Sequence, residues 1–170
     1  MSGIFGMNIK MAIFGESHGK SIGVVLDGLP PGLALDEAAI AAEMARRAPG
    51  QNALSTARKE SDTVEIQSGF FNGFTTGTPL CARIVNSDQH SKDYSILADK
   101  MRPGHADYAG HVRYQGFNDY RGGGHFSGRL TAPLVFAGAV AKQALAQYGI
   151  VVGSHILQIN DIKEERFNPM

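Results

Sequence analysis

Apolar and polar positions fall into short blocks along the chain, and the blocks predict most of its elements. Asn8 to Phe14 is a strand candidate that stops at Gly15-Glu16-Ser17-His18-Gly19, and Ser21 to Leu26 resumes as a β-rich run. A strand–loop–strand unit therefore presents Glu16, Ser17 and His18 at its tip, and Asp27-Gly28 with Pro30-Pro31-Gly32 forms a turn cluster after it. Asp36 is the N-cap of a predicted helix running to Ala48. Ile40 and Met44 line its buried face, Arg46 and Arg47 complement its C-terminal dipole, and Pro49-Gly50 ends it. Gln51 to Asp62 is polar and reads as a loop. Thr63 to Ser68 and Leu80 to Val85 read as strands joined by the Gly/Thr-rich segment Gly73 to Pro79 in a hairpin-like meander. Ser87 to Lys100 is mixed and polar and predicts no element. Arg102-Pro103-Gly104-His105-Ala106-Asp107 is a sharp turn into a helix through Arg113, and Ile150 to Ile159 begins a last strand. Strands, helix, strands, helices, strand is the order of an α+β fold, with helices packed on a largely antiparallel sheet.

The stretch Tyr120 to Gly149 combines the longest apolar run with the densest glycines. Gly122-Gly123-Gly124 lets the backbone approach a ligand without side chains in the way. Behind it Pro133 suits a first helical turn and Gly149 the left-handed position past a C-terminus. Leu130, Leu134, Ala137, Ala141, Leu145 and Tyr148 recur at helical spacing, and Lys142 is the one charge after Arg129, so this helix is expected to be buried on most sides. Its N-terminus would then face Arg121, His125, Ser127 and Arg129, an anion site by dipole and free N–H groups. Against that stands a plainer account, a Gly-rich turn feeding a core helix with solvated arginines at its mouth. Both remain open on these residues alone.

Length and charge narrow the classes. At 170 residues the chain is one domain, or half of a larger duplicated one. Sixteen basic and sixteen acidic residues cancel, so no global field calls for nucleic acid or an anionic membrane, and any anion site must be local. A single cysteine, Cys81, fits a reducing compartment. No signal-peptide pattern and no uninterrupted apolar span is present, so a soluble cytoplasmic protein is expected. The C-terminal residues carry no stop signal and are consistent with a cut through a longer chain.

Three histidines, His18, His105 and His125, lie in glycine-bounded turns, each a candidate general acid or base near neutral pH. Gly123 to Gly128 has the gap of a phosphate-cradling P-loop, but Arg129-Leu130 replaces its Lys-Ser/Thr. No cysteine pair, HExxH or acidic calcium loop is present, so no metal site is expected. Ser17 lacks the G-x-S-x-G context of a nucleophile elbow.

Taken together, Gly15-Glu16-Ser17-His18-Gly19, Arg47 with Pro49-Gly50, Arg102-Pro103-Gly104-His105-Ala106-Asp107-Tyr108 and Tyr120-Arg121-Gly122-Gly123-Gly124 resemble chorismate synthase in order and spacing across essentially the whole chain. The resemblance implies a β-α-β sandwich, α+β in class, assembled as a homotetramer. It also implies a carbon–oxygen lyase that removes phosphate and a ring proton from 5-enolpyruvylshikimate 3-phosphate by 1,4-anti elimination, giving chorismate in the last step of the shikimate pathway. Reduced FMN is the implied cofactor, with NADPH a possible reductant of it. By resemblance His18 protonates the departing phosphate and His105 sits near flavin N1. Arg47, Arg102 and Arg129 match substrate-binding positions, Arg47 also a nicotinamide-cofactor position, and His125, Phe126 and Ser127 match flavin contacts. The family commonly has Arg-Ser at 125 and 126, and an arginine is frequent where Ala53 stands. Its members are about twice as long, so the chain corresponds to an N-terminal half. The remainder is expected to hold much of the FMN site and the aspartate that helps remove the ring proton, which leaves this piece inactive alone. The alternative is a noncatalytic anion- or nucleotide-binding module built on the glycine loop and helix N-terminus.

Overall fold

The computed structural model describes residues 4–48, 62–87 and 98–166. Its framework is a five-stranded sheet with the order β1-β2-β3-β7-β4, antiparallel at every pairing. Those strands are β1 (Ile4–Phe5), β2 (Lys10–Gly15), β3 (Ser21–Asp27), β4 (Val64–Ser68) and β7 (Leu80–Val85). Between β4 and β7 a small hairpin, β5 (Phe70–Phe71) and β6 (Phe74–Thr75), forms the expected meander. Alternation decides the buried face. Ile22, Val24 and Leu26 of β3 and Leu80, Ala82 and Ile84 of β7 are all buried in one cluster with the helices. The other face is wetter and carries a cross-strand Arg83–Glu65 pair at 2.7 Å. Phe14 lays its ring over its cross-strand partner Gly23, filling the space a side chain would occupy there.

Helix α1 (Glu37–Arg47) begins at Asp36, whose carboxylate accepts from the N–H groups of Ala38 at 2.8 Å and Ala39 at 3.1 Å, and Ile40 and Met44 are its buried residues. Pro49-Gly50, expected to end it, lie outside the described residues, as do Arg58, Lys59 and most of the unassigned segment after Ser87. Helix α3 (Thr131–Ala146) packs on β3, β7 and α1. Its Gln143 amide bonds both the N–H and the carbonyl of Asp36, at 2.7 and 3.1 Å, which stitches the start of α1 to α3. The short α2 (Asp107–Arg113) follows the Arg102–Asp107 turn, as expected. The α+β class therefore holds, with helices on an antiparallel sheet, and the described residues supply one β layer and one helical layer of a sandwich. No helix among them is long and apolar enough to cross a membrane.

Two expectations need correction. The inner face of α3 is formed by Ala132, Pro133, Phe136, Ala137, Ala139 and Val140, not by the whole run from Leu130 to Tyr148. Leu134 is 40% exposed and Tyr148 80%. A helix apolar all round gives no unique face by periodicity, and packing on β3 selected one. The predicted strand from Ile150 to Ile159 is also absent. Residues 150–157 form no ladder, and only β8 (Gln158–Ile159) pairs, with β9 (Ile162–Lys163), in an exposed hairpin. A strand needs partner N–H and C=O groups, and among the described residues no neighbouring strand offers a ladder along 150–157, where the Leu157 carbonyl takes a single N–H from Glu164 at 3.0 Å.

The corrected helix face yields a stability contrast. Phe136→Ala should cost about 3–5 kcal/mol in urea unfolding, whereas Leu134→Ala, one turn segment away on the open face, should stay within about 0.5 kcal/mol.

Candidate functional site

The site grows from the glycine triplet. Gly122 (φ 58°), Gly123 (φ 85°) and Gly124 (φ 54°) are all in the positive-φ region that L side chains rarely adopt. Their bareness is used sterically as well. A Cβ on Gly122 would collide with the imidazole of His18. One on Gly123 would lie 2.7 Å from Cε1 and 2.9 Å from Nε2 of His105, and 3.3 Å from a guanidinium nitrogen of Arg102. The two histidines singled out in the sequence, 87 positions apart by their numbers (105 − 18), thus rest against consecutive residues of one turn.

His18 is carried by the loop between β2 and β3. Gly19 donates its N–H to the Glu16 carbonyl at 2.9 Å, closing a four-residue turn with Ser17 and His18 at its centre. Ser17 in turn donates its N–H to the Gly124 carbonyl at 3.1 Å, tying this turn to the glycine triplet. Ser17 is 1% exposed and His18 5%.

His105 is held by Asp107. The Asp107 carboxylate accepts from Arg102 three times, from its backbone N–H at 3.0 Å, Nε at 2.8 Å and Nη2 at 3.0 Å. It also meets His105 Nδ1 at 2.6 Å. The hydrogen bonds from Arg102 hold its carboxyl far below the usual carboxylate range, against the opposing effect of burial. The carboxylate is therefore ionised; His105 Nδ1 also lies 3.3 Å from Arg102 Nη2, so both members of the ion pair hold the ring, and its Cε1–Nε2 edge is turned to Gly123.

Arg47, Arg129 and Arg121 are also paired with carboxylates. Asp62, with no exposed side-chain surface, accepts from Arg47 Nη1 at 2.6 Å on one oxygen and from Arg129 Nη1 on the other. Arg47 reaches further, to the Gly128 carbonyl at 3.3 Å. Arg129 donates from Nε to Asn86 Oδ1 at 3.3 Å. Arg121 is clamped by Asp119, whose carboxyl it lowers and which raises the guanidinium in return, in each case chiefly through their hydrogen bonds.

His125, Phe126 and Ser127 part company. His125 Nδ1 lies 2.9 Å from the Gly15 carbonyl; a carbonyl only accepts, so Nδ1 carries the proton and Nε2 is the acceptor of the neutral ring. His125 and Phe126 line a cavity of about 350 Å³ with Glu16, Tyr114, Phe117, Asn118 and Asp119. Phe126 also lies over Gly110, with Tyr114 at 6.1 Å between ring centroids. Ser127 turns away and caps the 3₁₀ turn Gly128–Leu130, its hydroxyl accepting from Arg129 N–H at 3.3 Å. That turn separates the glycines from α3. Leu130 N–H goes to the Ser127 carbonyl at 3.0 Å and Thr131 N–H to Gly128, so these amides at the helix start are consumed within the chain. The structure supports an imidazole site at the glycines more than an anion site at the helix N-terminus.

Sequence reasoning passed over Asp62, Asn86, Asp119 and the carboxylate role of Asp107. A search for acidic partners of each candidate arginine would have found Asp107 and Asp119, which are close in sequence. Nothing local marks Asp62 or Asn86.

The family model described as chorismate synthase matches residues 9–170. Chorismate synthase of Cytophaga hutchinsonii is 49% identical over 163 residues, covering 96% of this chain and 45% of that protein. That of Sulfurimonas denitrificans is 52% identical over 164 residues, covering 96% of this chain and 46% of that protein. A crystal structure of chorismate synthase superposes with a TM-score of 0.63 at 28% identity, covering 92% of this chain and 39% of that one. The chain spans less than half the length of these relatives.

The geometry sets two outcomes. Gly122→Ala and Gly123→Ala should each lose about 1–2 kcal/mol from the left-handed backbone alone, plus the steric conflict with the histidines. Gly128→Ala, with nothing within 4 Å of the added methyl, should be far milder in thermal unfolding. Asp107 has its folded value depressed from an unfolded 3.8, so its stabilisation is fully present above that value and is lost as pH falls through the folded one. Asp107→Asn should therefore be less stable at pH 7, and its deficit should shrink as unfolding is followed below about pH 4.

Proposed function

The chain belongs to the chorismate synthase family, and from that membership we propose that it forms the N-terminal part of an enzyme converting 5-enolpyruvylshikimate 3-phosphate to chorismate. The observation that carries this reading is the meeting of His18 and His105 at Gly122 and Gly123. In the elimination the carbon–oxygen bond to phosphate breaks with its electron pair leaving on phosphate. A ring C–H bond breaks, its electrons complete the new diene, and the released proton passes to a base that the family resemblance puts outside these 170 residues. His18, buried beside bare backbone, delivers the proton that the departing phosphate takes up. Arg47, Arg102 and Arg129 supply positive charge for a substrate bearing one phosphate and two carboxylates. Each is held in place by a carboxylate, so little reorganisation is needed when charge develops on the leaving group.

Reduced FMN, when bound, supplies the electron-rich ring the reaction requires without net redox change. The cavity beside the glycine turn suits such a ring. Tyr114, Phe117 and Phe126 offer aromatic walls, and His125 Nε2 offers an acceptor for a ring N–H. Its lining contains two carboxylates and no lysine or arginine among the described residues, so the cofactor's phosphate must find its cations elsewhere. His105, by family the group near flavin N1, is held at Nδ1 by Asp107 and Arg102 and does not itself line this cavity. Ser127, a flavin contact by family, accepts from the Arg129 N–H with its hydroxyl oxygen and retains its hydroxyl proton as a donor. NADPH as flavin reductant at Arg47, a homotetramer and a cytoplasmic setting belong to the same proposal and rest on the family alone.

Turnover is measured anaerobically with reduced FMN, following chorismate. In a form extended to the relatives' full length, His18→Ala and His105→Ala should each lower kcat by about 10²–10⁴-fold with substrate affinity within a few-fold of the parent. A noncatalytic anion module would show no turnover in the parent at all. The 170-residue chain alone should be inactive, and chorismate formation at the full-length rate would refute that.

A further inference from the structure

We propose that Asn86 is the positioning residue that sets the His18 turn against the arginine pair, by clamping both ends of that turn with one side-chain amide. Asn86 directly follows β7, where the β3–β7 register runs out at Ser21↔Val85, and its own N–H donates to the Lys20 carbonyl at 3.2 Å. The side chain thereby lies under the Glu16–Gly19 turn. Nδ2 donates to the Glu16 carbonyl at 3.0 Å and to the Gly19 carbonyl at 2.8 Å, the first and last residues of the turn that carries His18. Oδ1 accepts from Arg129 Nε at 3.3 Å. These partners also fix the amide's orientation, since a flipped amide would set its oxygen against two carbonyl oxygens and its donors against a guanidinium.

The residue is 7% exposed, and no packing role explains an amide rather than an apolar side chain there. What the amide does is join two groups. Arg129 is bound on its other side by Asp62, which also holds Arg47. A hydrogen-bonded path thus runs from Arg47 through Asp62, Arg129 and Asn86 to the two carbonyls flanking Ser17 and His18. It fixes the distance between the imidazole and the two guanidinium groups, with each link satisfied in the folded chain. Aspartate has the same shape but would turn an acceptor toward Glu16 and Gly19, releasing the turn while keeping its hold on Arg129. The consequence for catalysis rests on His18 acting as the proton donor, as proposed above. The clamp itself does not.

Two measurements decide it. In hydrogen exchange followed by mass spectrometry on the 170-residue chain, N86D and N86A should speed exchange in peptides covering residues 15–21 by about tenfold. Peptides from α1 and α3 should be unchanged. Exchange at 15–21 unchanged from the parent in both variants, or equal loss of protection throughout the helices, would overturn the clamp. In the full-length form N86D should lower kcat by about 10²-fold while KM moves less than about threefold. A loss carried by KM alone would overturn the positioning role. A parent that binds substrate but makes no chorismate would instead overturn the functional reading, leaving the exchange result to decide the clamp.

Discussion

Two imidazoles can rest against consecutive residues of one turn only if that turn has no side chains to set in their way. Gly122 and Gly123 meet this condition twice over, by lacking Cβ atoms and by adopting positive φ, and Gly124 continues the same backbone while accepting from Ser17. The rest of the site follows from this bare surface. The loop after β2 brings His18 to one glycine, and the turn before α2 brings His105 to the next. The sheet and α3 hold the two approaches at a fixed separation, because the β2–β3 hairpin and α3 are packed in the same core.

Charge is organised by the opposite principle, saturation in place of bareness. A chain with no net charge still gathers Arg47, Arg102, Arg121 and Arg129 near the site, and each is already engaged by a carboxylate. Two guanidinium groups on the single carboxylate of Asp62 leave a local excess of one positive charge. Asp62 itself accepts a φ of 49° to make the contact, a conformation less costly for Asp than for most residues. Removing such a carboxylate from between buried guanidinium groups would leave like charges facing in low dielectric, so Asp62 is as much a part of the cationic site as the arginines.

Much of this was legible in the sequence because it is written locally. The alternation along β3 and β7, the Asp36 cap, Pro133 and Gly149 at the ends of α3 and the glycine-bounded histidines each carry their own signal within a few residues. What was missed depends on distant pairs. Asn86 and Asp62 acquire their roles from partners up to 70 and 67 positions away, and no local pattern announces them. The open side of α3 and the unpaired 150–157 stretch were misread for a related reason. Apolar residues state that burial is favourable, but the neighbour that provides it is a property of tertiary structure, and here it is not among the described residues.

Those exposed apolar residues bear on the chemistry as well as on folding. Val151 is 92% exposed and Phe117 91%, and Phe117 lines the cavity suited to a flavin ring. The proposed elimination, which separates a phosphate from a ring carbon, would gain from exclusion of water, because every arginine contact weakens in high dielectric. His18 and Arg129 are almost fully buried, whereas the Arg102 and His105 side chains remain partly exposed. The aromatic wall opposite, at Phe117, stands open. On the proposed flavin reading, a closed pocket would need a surface laid over Phe117 that also brings cations for a flavin phosphate, since the cavity's own charged side chains are Glu16 and Asp119.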